Sequence, residues 1–219
     1  MRRGRLEQFC ARGAWFGSAA ARSTRALYLM MRFAEFVTRR KAWQIFVALV
    51  APVFIAQFYL VAAIPLPSSM GQPPDVMLLA ELSRRMMAVT LLMFVLFFSW
   101  LISVGWIANH RIDPSIRPRM RWYLAAAIYA PAYVALAACF FPGSLATGGG
   151  LPGIVVAMHL LAMVAIFYIL GFSAKNLIMA ERQMPVSFFD YSGPLFLMWF
   201  FPIGIWFVQP RVNKLVAAT

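Results

Sequence analysis

Residues 39–64 read RRKAWQIFVALVAPVFIAQFYLVAAI. Three cations, Arg39, Arg40 and Lys41, stand just before a run of 22 uncharged residues, Trp43–Ile64. As a helix rising about 1.5 Å per residue, that run reaches about 33 Å, enough for a hydrocarbon core of about 30 Å. Trp43 suits the headgroup level, with the cations just outside it. Pro52 lies within the run, where a neighbouring helix can satisfy the carbonyl it frees. Pro65-Leu66-Pro67 then stops the helix.

Three further runs have the same character: Met86–Ala108, Trp122–Phe141 and Pro152–Phe172. The whole chain is 63% hydrophobic and 12% charged, against soluble norms of about 45–50% and about 25%. The expected fold class is therefore all-α: an integral membrane helical bundle of four transmembrane helices plus a broken apolar C-terminal segment. Residues 1–42 form a basic N-terminal segment, 43–172 the four-helix domain, and 173–219 the C-terminal segment. Val76–Arg85 reads either as an interfacial turn or two or as an extension of span two. Span three is rich in alanine, which lets helix backbones approach closely. It is expected at the centre of the bundle, kinked at Pro131.

The charges set the orientation. Of 20 Lys and Arg, ten lie in residues 1–42, four in 108–121 (Arg111, Arg117, Arg119, Arg121) and four after 172 (Lys175, Arg182, Arg211, Lys214). Only Arg84 and Arg85 fall elsewhere. By the positive-inside rule both termini and the 109–121 loop are expected in the cytoplasm. The formal net charge of +13 accompanies no nucleic-acid motif. The expected partner is thus the lipid bilayer, with anionic lipid at the cytoplasmic face, and not nucleic acid. Residues 1–30 have no apolar h-region, so they are not a secretory signal. A mitochondrial leader, a disordered arm and an over-extended start at Met30 or Met31 remain, the last being preferred.

The C-terminal block is harder to place. Leu195–Val208 is strongly apolar but only 14 residues long, and Pro202 and Gly204 interrupt it. Such a length is typical of re-entrant or interfacial segments. A fifth span over 191–210 is the alternative; it would carry Arg211 and Lys214 across. Glu181, Arg182, Asp190 and Arg211 are expected to form an ion-pair cluster under the bundle that locks this block against the 109–121 loop. A partner-docking surface is the other reading of those four.

Chemistry-bearing residues are few. No H-E-x-x-H, G-x-S-x-G or phosphate-loop pattern occurs. Gly148–Gly150 follows a span and reads as a linker. Cys10 and Cys139 lack metal-ligand spacing and fall at opposite faces, so free thiols are expected. His159 is the one ionisable group inside a span, and intramembrane ionisable groups raise a functional hypothesis. A single hydrogen bond to Ser99, Ser103 or a carbonyl would make it structural instead. Gln57 suits a bond between helices. With no second helix histidine no haem is expected, nor any other cofactor.

Ser173–Lys175, Glu181, Phe188–Tyr191 and Trp199–Lys214 together resemble the C-terminal pattern of a group of uncharacterised bacterial multi-pass inner-membrane proteins, with its Trp-Phe-Phe-Pro-Ile-Gly-Ile-Trp-Phe-Val-Gln-Pro-Arg-Val-Asn-Lys ending. The resemblance implies a bacterial inner-membrane protein and favours the over-extended start; it implies no activity. Packing residues are plentiful while catalytic and relay groups are nearly absent. The expected function is therefore non-enzymatic: an accessory or assembly subunit acting through helix contacts with a membrane-protein partner or in a homo-oligomer. The alternative is a small transporter or channel for a neutral or apolar solute, built around His159, Gln57, Ser99 and Ser103. An enzyme acting on lipid is a third class.

Overall fold

The computed structural model describes residues 32–63, 76–146 and 153–217. The arm over 1–30 with its candidate starts, Cys10, the Pro65–Pro67 stop and the Gly148–Gly150 linker lie outside them. Every regular element described is a helix: α1 over 32–38, α2 (Ala42–Ala63), α3 (Val76–His110), α4 (Arg121–Ala146), α5 (Gly153–Arg182), α6 (Phe188–Trp199) and α7 (Phe201–Ala217). Three of them, α2, α3 and α5, hold stretches long and apolar enough to cross a membrane. The chain is thus an all-helical membrane protein. Four such helices were expected. The fourth, α4, is a 26-residue helix and is not among these three over the described residues.

Local chemistry sets the breaks. The α1–α2 corner falls at Arg39–Lys41, where the Gln44 side chain accepts the Lys41 backbone N–H at 3.0 Å. A Gln at the third helical position reaching back in this way caps a helix start. α3 has 35 residues and includes Val76–Arg85, so that stretch is an extension of span two. α5 continues ten residues past Phe172 to Arg182, since no Gly or Pro interrupts it between Phe172 and Pro185.

α2 and α3 run antiparallel: Leu49 faces Trp100 across one cavity, Tyr59 faces Leu82 across another. α3 and α5 run parallel, Gly105 meeting Ser173 and Arg111 meeting Gln183. α4 lies antiparallel to α5, with Tyr123 stacked on Phe172 and Tyr133 beside His159. This gives the bundle a basic end, where Arg39–Lys41, the 111–121 loop and Arg182 gather, and a far end.

The core sits at the basic end. Trp100, Leu101, Val104, Tyr123, Ile169, Leu170, Leu177, Met198 and Ile205 are all buried. The central helices are α3 and α5, not α4 as its alanine content suggested. Among its described side chains α4 buries one stripe, Tyr123, Ala127, Ala130 and Tyr133, and exposes Ala125, Ile128, Ala132 and Leu136. Alanine permits a close approach on every face but supplies little surface to hold one. The large rings of α3 fill the centre instead. α4 also runs through Pro131 without a break.

α6 and α7 form a helical hairpin broken at Phe200 (φ −89°, ψ 54°). Gly204 makes the hairpin possible. A Cβ there would stand 1.6 Å from the Leu197 carbonyl oxygen, so the two helices touch backbone to backbone. Pro202 occupies the first turn of α7, where its missing N–H costs nothing.

Candidate functional site

The four charged residues expected as a cluster form two ion pairs that close the mouth of the hairpin. Arg182 donates to Asp190 Oδ1 at 2.6 Å. Arg211 holds Glu181 with two nitrogens, its Nε lying 2.7 Å from Oε1. Glu181 and Arg182 are neighbours on α5, Asp190 begins α6, and Arg211 lies in the second half of α7. The hairpin therefore starts and finishes against the same turn of α5. The pairs anchor α6 and α7 to α5, while Gln183 makes the link to the 109–121 loop: its Nε2 donates to the Arg111 carbonyl at 2.8 Å and its Oε1 accepts the Asp113 N–H at 3.0 Å.

Asp190 also accepts the Ser187 hydroxyl at 2.7 Å and the Ser187 backbone N–H at 2.8 Å. Those bonds, the hydroxyl first, together with the Arg182 guanidinium, hold its carboxyl down at about 2. A carboxylate in the first turn also complements the positive end of the α6 dipole.

A second assembly is buried. Gln209, fully enclosed, accepts the Trp100 indole N–H at 2.8 Å. Its Nε2 donates to the Thr38 and Arg40 carbonyls at 2.6 and 3.0 Å, with Asn213 Oδ1 at 2.9 Å. One amide thus joins the end of α1, the middle of α3 and α7, and satisfies carbonyls that α1 leaves open at its terminus. Nearby, the Tyr123 hydroxyl lies 3.2 Å from Ser173 Oγ and 3.2 Å from the Ile102 carbonyl. Gly105 leaves room for that contact, since a Cβ there would come within 2.3 Å of the hydroxyl. Neither Gln209 nor Tyr123 was singled out from the sequence. The available signal was a lone glutamine inside an aromatic run, Phe207-Val208-Gln209-Pro210.

The polar residues expected to line a cavity are not brought together. His159 is exposed on α5, its Nδ1 3.3 Å from the Tyr133 hydroxyl. Gln57 is exposed on α2. Ser103 is buried and donates to the Ser99 carbonyl at 2.6 Å, the back-bond expected of a helix serine. Ser99 lines an apolar cavity of about 390 Å³ between α1, α2 and α3, with Phe36, Leu49 and Trp100. Of the four, only Ser99 and Ser103 touch. The Asn176 amide, fully buried, and the Trp106 indole N–H have no hydrogen-bond partner among the described residues. Among those residues, too, no cluster of three His, Cys, Asp or Glu is placed to hold a metal.

No family model, curated protein or solved structure matches this chain.

Proposed function

We propose that this chain is a non-enzymatic subunit of a membrane assembly: an accessory or assembly protein of a bacterial inner membrane that works through helix contacts. The observation that carries the reading is His159. It projects from the outer surface of α5, sixteen residues or about 24 Å along the helix from Lys175. An ionisable group at that depth is costly against lipid. Its one bond, to Tyr133, leaves Nε2 without a partner among the described residues. A protein surface packed over α4 and α5 would cover both rings and supply the missing acceptor or donor.

The proposed arrangement has four spans, with both termini and the basic end in the cytoplasm. α4 counts as the fourth because it lies antiparallel between the parallel α3 and α5, and so shares their depth. α6, at 12 residues, reaches about 18 Å and cannot cross. With α7 it forms a re-entrant hairpin, and its broken backbone is tolerated because it packs against α2, α3 and α5. Transport of a neutral solute has less support, since Gln57 and His159 face outward on different helices and share no cavity.

Purification in mild detergent, with mass-spectrometric identification of what co-purifies, tests the proposal. A stoichiometric partner or defined homo-oligomer, lost on His159→Ala while the bundle keeps its melting temperature, is the expected result. A lone monomer that moves solute across liposomes would defeat it.

A further inference from the structure

A groove of about 550 Å³ opens at the basic end between the 111–121 loop, α5 and α6. That volume falls within the range of about 300–1,000 Å³ usual for small-ligand sites. Its charged lining is Arg119 and Lys175, its hydroxyls are those of Tyr168 and Tyr191, and its walls include Phe167 and Leu195.

Lys175 is the more telling of the two cations. It is only partly exposed, and the residues on both sides of it, Phe172–Ala174 and Asn176–Ala180, are buried. An ammonium set into a packed helix face calls for a counter-charge. Neither it nor Arg119 has a carboxylate within ion-pair distance among the described residues. The nearby acids are committed elsewhere, Glu181 to Arg211 and Asp190 to Arg182. No carboxylate lines the groove. Two cations beside low-dielectric aromatic walls make a site that attracts an anion.

The groove is also graded along its length. Phe167 lies eight residues from Lys175 on α5, about 12 Å deeper into the bundle. At that depth Phe167 stacks on Trp199 with ring centroids 4.6 Å apart, which closes the apolar end. A ligand that fills the groove carries its negative charge at the basic end and its hydrocarbon toward the middle of the bundle.

We infer that this groove binds one anionic phospholipid, its phosphate between Lys175 and Arg119 and its acyl chain along Phe167 and Leu195. The Tyr191 hydroxyl, near the start of α6, serves as a further donor to the phosphate or glycerol oxygens. The site stands apart from the α4–α5 surface at His159, so either can fail alone.

The test is native mass spectrometry of the full-length protein from mixed micelles with equal amounts of phosphatidylglycerol and phosphatidylcholine. One phosphatidylglycerol per chain should be retained. Lys175→Gln with Arg119→Gln should reduce its retention about ten- to thirtyfold, the effect of two basic groups near an anionic surface. Arg39→Gln with Lys214→Gln, an equal loss of charge at the same end, should leave it unchanged. Arg119→Gln alone changes an exposed loop residue, keeps the fold, and should cost about three- to fivefold. Equal retention of phosphatidylcholine would overturn the inference, as would a control pair as damaging as the groove pair or an Arg119→Gln protein that binds like the parent. Displacement by millimolar inorganic phosphate would also overturn it, by assigning the groove to the free anion.

Discussion

The two ends of this bundle differ sharply in how their helices pack. On α5, Ile169, Leu170 and the run Phe172–Ala174 are buried, as are Asn176–Ala180. In the first half of the same helix, Ile154, Val156, Leu160, Leu161 and Val164 are exposed, and Ala162 is the one buried residue before Ala165. α3 divides the same way, buried from Phe97 onward apart from partly exposed Ser99, Ile102 and His110, and sparsely so before it. The difference is one of residue size and hydrogen bonding. The basic end places Gly105, Ala108, Ala174 and Ala180 where helices meet, and threads Gln209, Tyr123 and Ser173 between them. The first half of α5, at the far end, presents large aliphatics outward. Lipid tails are as apolar as leucine, so size and hydrogen bonds decide which apolar helices associate.

Changes at the basic end should therefore matter most. Gly204→Ala should be the most damaging, because the Leu197 carbonyl in its path is backbone and cannot swing aside. Its cost should exceed the roughly 1–3 kcal/mol of ordinary overpacking, seen as collapse of the thermal unfolding midpoint in detergent. Gln209→Ala comes next. It leaves the Trp100 N–H and the Thr38 carbonyl buried without these partners, at about 2–4 kcal/mol by the same assay. A Gln209→Ala protein as stable as the parent would show that the amide joins nothing essential.

Asn176→Leu should act in the opposite direction. Its amide is enclosed and unbonded among the described residues, so an apolar side chain of similar volume should be neutral or stabilising by up to about 2 kcal/mol. A lowered midpoint would mean that Asn176 has a hydrogen-bond partner after all. At the far end, Leu160→Ala should change detergent stability by less than about 0.5 kcal/mol, as expected away from a packed core. A loss of core size there would erase the contrast between the ends.

The smallest effect concerns Asp190. Its carboxyl is held below the usual carboxylate range, at about 2. A depressed folded-state value gives stability that is full above the unfolded value near 4 and lost as pH falls toward 2. Fluorescence of a probe near Ser187 should thus show α6 anchored at pH 4 and loosening only between about 4 and 2. Release above pH 5 would show that the pair with Arg182 is not made.

What the sequence made legible was length and charge. Hydropathy located α2, α3, α4 and α5 as helices, and Pro202 with Gly204 marked the break near Phe200. The charges of Glu181, Arg182, Asp190 and Arg211 were recognisable as a cluster because few acids are available to pair. Which face of each helix packs was not legible. An intramembrane helix is apolar all round, so it carries no amphipathic signal of the kind that orients a soluble one. For the same reason α4 was expected at the centre on its alanines, whereas Tyr123 and Tyr133 make its contacts. The joining role of Gln209 rests on residues from three helices distant in sequence, which no local pattern reports.

The central claim is that the C-terminal hairpin enters and leaves the bundle at the basic end. Labelling from one side of sealed vesicles with a membrane-impermeant thiol reagent tests it most directly, in a background of Cys10→Ser and Cys139→Ser. Ser187→Cys and Lys214→Cys, placed at the two ends of the hairpin, should label from the same side as Arg119→Cys. Labelling of Lys214→Cys only from the opposite side would make α6–α7 a crossing segment and contradict the account.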